Sequence, residues 1–107
     1  MDHGPANDDA VERATDIFRA LSNPLRVAIV RELASGERAV HELVDALSVP
    51  QPRISEHLAT LRGARLVDRE RRGRTVTYRL SDHHVAHIVE DAVLHAGEHS
   101  PSTTYTS

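Results

Sequence analysis

Apolar residues recur with a helical period in five separate stretches of this chain, and the period shortens to two in a single place. The first stretch starts at Asp9, with Asp8 or Asp9 as its N-cap, and carries Val11, Ala14, Ile17, Phe18 and Leu21 on one face. Ser22-Asn23-Pro24 reads as a stop followed by a new cap with proline in the first turn. Leu25, Val27, Ile29, Val30 and Leu33 then carry a second helix toward Gly36. A short third helix spans Val40 to Leu47. Ser48-Val49-Pro50-Gln51-Pro52 cannot prolong it, because each proline lacks an N–H and pushes the residue before it out of helical geometry. Beyond that turn Ile54, Leu58 and Leu61 mark a fourth helix whose other positions are mostly polar. Helix, short turn and polar-faced helix make a helix-turn-helix pattern.

Between Leu66 and Leu80 the pattern alternates through Val76, Tyr78 and Leu80, with Arg71-Arg72-Gly73-Arg74 at the apparent tip, so a β-hairpin is expected there. Ser81-Asp82 caps a last helix that runs to about Ala96, where Gly97 is placed to end it. The expected fold is mainly α with a small β-hairpin: one domain over residues 9–97, between polar tails at 1–8 and 98–107.

Composition narrows the function classes. A length of 107 residues suits one domain, and with 3% aromatic residues and no Trp the core must rest on Leu, Val, Ile and Ala, which favours packed helices. The absence of cysteine excludes disulfides, thiolate nucleophiles and cysteine-ligated metals. No apolar run approaches the roughly 18 residues of a membrane span, and the first residues lack a basic, apolar leader; a soluble, cytoplasmic protein with no membrane partner is expected. His41-Glu42 resembles the start of a zinc-protease helix, but Asp45 stands where the second histidine should be. With no catalytic set, neither an enzyme nor a small organic substrate is expected.

The net charge of −3 argues against nucleic acid until its distribution is considered. From Arg53 to Arg79 eight arginines face only Glu56, Asp68 and Glu70, a local balance of +5 in an otherwise acidic chain. A localised phosphate-binding surface has this signature.

The stretches LSNPLRVAIVREL, VHELVDALSVPQPRISEHLATLRGARLV, RRGRTVTYRL and DHHVAHIVEDAVLHAGE together resemble the ArsR/SmtB family of metal-responsive repressors, over about residues 12 to 98. Within that family the likeness is strongest to zinc-sensing, SmtB-type members from actinobacteria. The resemblance implies a winged helix-turn-helix that dimerises through its first and last helices and binds a palindromic operator as a metal-free homodimer. Residues 52–64 would be the recognition helix in the major groove, with Gln51, Arg53, Ser55 and His57 as candidates for base or phosphate contact. Arg71, Arg72 and Arg74 would follow the adjacent backbone or enter the minor groove from the wing.

Five of the eight histidines fall between His83 and His99. His84 and His95 are eleven residues apart, which returns to nearly the same helix face but leaves them about 16 Å apart along the axis. Two ligands of one zinc ion, each at about 2.0 to 2.1 Å, cannot be so distant. Two antiparallel copies of the helix would close the gap, pairing Asp82 and His84 of one chain with His95 and Glu98 of the other, twice per dimer. The same four positions coincide with the family's last-helix motif, Asp-x-His and, ten residues on, His-x-x-Glu or His-x-x-His. A thiol-free set of two imidazoles and two carboxylates favours Zn2+. Recruitment of His87 and His99 would raise the coordination number toward octahedral and favour Ni2+ or Co2+. Val85, Ile88, Val89, Ala92 and Val93 are expected to form the dimer core with the first helix.

Overall fold

A computed structural model describes residues 5–98. Five helices and three strands follow in the order α1 (Pro5–Leu21), α2 (Pro24–Ala34), β1 (Arg38–Ala39), α3 (Val40–Leu47), α4 (Gln51–Gly63), β2 (Val67–Arg72), β3 (Thr75–Leu80) and α5 (His83–Glu98). The expected helix-turn-helix is α3–α4, and β2–β3 is the wing.

Local chemistry sets most boundaries. Asn23 opens α2 by accepting from the backbone N–H groups of Leu25 and Arg26 at 2.9 and 3.1 Å, ahead of a first-turn proline that has no N–H to satisfy. Glu42 reaches back to the N–H of Ala39 at 2.8 Å and so secures the start of α3. Ser48 ends that helix in the left-handed region, at φ 55°. At the end of α4 the N–H of Leu66 donates to the carbonyl of Leu61 at 3.0 Å, with Arg65 left-handed at φ 63° where glycine is usual.

One core joins all the elements that carry the wing and the helix-turn-helix. Ile29, Val30 and Leu33 of α2 meet Leu43 of α3, Ile54, Leu58 and Leu61 of α4, Leu66 and Val67 at the root of the wing, and Val85 and Val89 of α5. Ile54, Leu58 and Leu61 are fully buried, at about 1.5 to 3 kcal/mol for each side chain removed from water, and this seats α4 with its polar side outward.

Three features depart from the sequence expectations. Helix α1 begins at Pro5, four residues before Asp9, so residues 5–8 of the expected tail are helical; a proline at a helix start is pre-set in φ, and Asp8 in the first turn suits the helix dipole. Helix α5 runs through Gly97 to Glu98, because glycine lowers helix propensity without forbidding the conformation. The hairpin is joined by β1 into a three-stranded antiparallel sheet of order β1-β3-β2, with Arg38 opposite Tyr78 and Ala39 opposite Thr77. Two residues are too few to display an alternating pattern. His99 and the rest of the expected C-terminal tail after Glu98 lie outside the described residues.

Candidate DNA interface and metal centre

Gln51, Arg53 and Ser55 lie exposed in the first half of α4. His57 is different. It is half-buried, and its Nδ1 is 3.2 Å from Nη1 of Arg26 on α2. A guanidinium only donates, so Nδ1 accepts and the ring proton resides on Nε2. Arg26 also donates Nε to the carbonyl of Ala20 at 2.5 Å, tying the recognition helix to the end of α1. Of the four candidates on this helix, three project to solvent and one is held from within.

The wing is similarly divided. Arg72 pairs with Thr75 in the ladder, leaving Gly73-Arg74 as a two-residue turn whose first residue has φ 65°, the type II′ arrangement that suits the twist of a hairpin. Arg71 and Arg74 are exposed and make no hydrogen bond or ion pair among the described residues. Arg72 instead donates Nε and Nη2 to the two oxygens of Glu70, both at 3.2 Å, and Arg79 adds Nη1 to the same carboxylate at 2.8 Å. The hydrogen bond from Arg72, then that from Arg79, hold the Glu70 carboxyl below the usual carboxylate range. Sequence reasoning missed Glu70. The signal was present, since residues two apart share a strand face and Arg79 lies diagonally across the ladder.

At the start of α5, Asp82 Oδ1 accepts from the backbone N–H of His84 at 2.9 Å and lies 3.4 Å from His84 Nδ1. Both side chains are exposed. His95 and Glu98 sit at the other end of the helix, about 16 Å away for His95. Among the described residues no three histidine or acidic side chains converge on a point that would hold an ion. What this end of α5 presents is one nitrogen and one oxygen donor, adjacent, solvent-accessible and free of sulfur, donor chemistry of the kind zinc accepts. His87 is turned toward His83, with ring centroids 5.6 Å apart.

The apolar face of α5 splits in two, where the sequence reading had placed it whole at a dimer interface. Val85 and Val89 belong to the core of their own chain, at 5% and 4% exposure. Ile88 and Leu94 are exposed, as are Val11 and Phe18 of α1, Phe18 at 60%. Between α1 and α5 runs an apolar groove of about 300 Å³, lined by Phe18, Leu21, Val27, Ile88, Ala92 and Ala96 among others.

Comparison with known proteins places this architecture. Residues 23–69, from the cap of α2 to the first half of β2, match the description "Bacterial regulatory protein, arsR family". The transcriptional repressor SmtB of Mycobacterium tuberculosis is 55% identical over 94 residues, covering 88% of this chain and 70% of that protein. The chain belongs to the arsR family. The regulator KmtR of the same organism is 42% identical over 97 residues, covering 91% of this chain and 75% of its own. Among solved structures, the homodimeric winged helix-turn-helix DNA-binding domain of a possible ArsR-family regulator from Mycobacterium bovis superposes with a TM-score of 0.82 at 27% identity, covering 92% of each chain. As a family member, this chain is a winged helix-turn-helix regulatory protein whose relatives control transcription rather than catalyse reactions.

Proposed function

We propose that this arsR-family protein is a metal-sensing transcriptional repressor, a homodimer that holds a palindromic operator when metal-free and is released by zinc at an intersubunit α5 site. The observation that carries the reading is the Asp82–His84 pair, exposed at one end of α5 while His95 and Glu98 occupy the other. Either end alone supplies two ligands, and an antiparallel second copy completes both sets. The unpartnered apolar groove between α1 and α5 supports such a copy, because burying Phe18 and Ile88 against their equivalents removes large apolar side chains from water.

The chain's own residues supply the rest. Gln51, Arg53 and Ser55 face the major groove, and Arg71 and Arg74 meet flanking phosphates or the minor groove. In the dimer, α1 and α5 set the distance between the two recognition helices, which must match successive major grooves. When bound, zinc supplies directional bonds that favour one arrangement of the two α5 helices. The Arg26 contacts to Ala20 and His57 carry a change at α1 to the recognition helix. The relatives named as repressors support negative control. The test is operator affinity of the purified protein with zinc, nickel and cobalt in turn. Zinc weakening the complex supports the reading, and release by nickel or cobalt but not zinc overturns the choice of metal.

A further inference from the structure

Three histidines crowd the first turns of α5. The rings of His83 and His84 stack with centroids 4.3 Å apart, and His83 meets His87 edge-on at 5.6 Å. Helix stability does not account for them. The start of a helix carries partial positive charge and favours acidic side chains, yet the first turn of α5 contains none. All three imidazoles are exposed, so they do not serve the core either.

Two donor pairs can be drawn in the cluster, with His83 in ring contact with both His84 and His87. His84 lies against Asp82 at 3.4 Å, and no third histidine or acidic side chain joins them at a common point among the described residues. His83 and His87 are four residues apart, one turn along the same face, where side chains are direct neighbours. With centroids at 5.6 Å, rotation of the two rings alone brings one nitrogen from each to the roughly 3.0 to 3.5 Å separation required by a shared ion at about 2.0 to 2.1 Å. The geometry points to a second, single-chain metal site at His83 and His87, taking a borderline divalent transition ion such as nickel, copper, zinc or cobalt. Imidazole suits these ions and not magnesium or calcium. Water completes the shell, so this site binds more weakly than a four-ligand site. It requires no partner subunit, and it assigns His87 away from the sensing set.

Nickel binding to the full chain, followed by equilibrium dialysis, tests the assignment together with operator release. The wild type takes two ions per chain. His84→Ala with His95→Ala retains one, and adding His87→Gln to that background removes it. His83→Ala with His87→Ala loses one ion while metal-triggered operator release persists. An ion that survives the addition of His87→Gln overturns the site, as does a His83/His87 double variant that binds as many ions as the wild type. Loss of both ions and of operator release in that double variant also overturns it, by placing these rings in the sensing set. Failure of the intersubunit reading shows separately, as operator release that persists in the His84/His95 double variant.

Discussion

Arg26 Nη1 stands 3.2 Å from His57 Nδ1, so a side chain of α2 that also holds the last turn of α1 fixes the middle of the recognition helix. Truncating it removes two charge-assisted hydrogen bonds from a half-buried position. We expect Arg26→Ala to lower stability by about 1 kcal/mol in chemical denaturation. Operator affinity should fall by about fivefold if that energy is expressed in binding. Arg26→Lys should not restore it, because an ammonium lacks the planar fork that reaches both acceptors. Unchanged operator affinity in Arg26→Ala would remove this contact from the coupling path.

Glu70 restrains the wing by occupying Arg72 and Arg79. Glu70→Gln should raise operator affinity and steepen its dependence on salt by about two units of slope, because Arg72 of each wing in the dimer then becomes available to phosphate. The pH dependence has a definite sign. A carboxyl whose folded-state pKa is lowered contributes above its unfolded value, and the contribution is lost as pH falls through the lowered value. Acidification below the usual carboxylate range should therefore move the wild-type wing toward Glu70→Gln behaviour. Fluorescence anisotropy across salt and pH series measures both, and parallel salt slopes for the two proteins would refute it.

How far the sequence discloses this molecule depends on how local each determinant is. The cap at Asn23, the proline-bounded turn before α4 and the Gly73-Arg74 tip all act within a few residues, and all are found where the pattern predicts them. Strand β1 and the Arg26–His57 contact were not legible. One is two residues long, and the other joins positions 31 apart. The apolar positions of α5 read as one stripe, yet α2 packs against only part of the helix and claims Val85 and Val89, leaving Ile88 outside. Of the candidate metal centre, Asp82 and His84 are adjacent as their spacing suggests. The completion of that site requires a second chain, which no single-chain periodicity encodes.

The dimer should fail through its exposed apolar residues without harm to the fold. Phe18 is 60% exposed and Ile88 38% exposed in the single chain, so an acidic replacement there removes less intrachain packing than one at the buried Val85 or Val89. Phe18→Asp combined with Ile88→Asp should sediment as a monomer, retain its helical circular dichroism, and lose operator affinity, because one half-site contact replaces two. A double variant that still sediments as a dimer would move the interface away from the α1–α5 groove.

His95 separates sensing from DNA binding. It lies in the last turn of α5, remote in the chain from α4 and the wing, so His95→Gln should leave metal-free operator affinity within about twofold. A glutamine keeps a polar side chain there but replaces an imidazole ligand, so the intersubunit set loses one of its two nitrogen donors. Coupling energies of about 1 to 3 kcal/mol correspond to a 5- to 150-fold change in affinity. In the wild type, saturating zinc should weaken operator binding within or above that range, and in His95→Gln the factor should collapse toward one. Because linkage is reciprocal, operator DNA should weaken zinc binding to the wild type by the same factor and leave the variant's residual binding unaffected. If zinc still dissociates His95→Gln from its operator to the full extent, His95 is not a ligand of the sensing site.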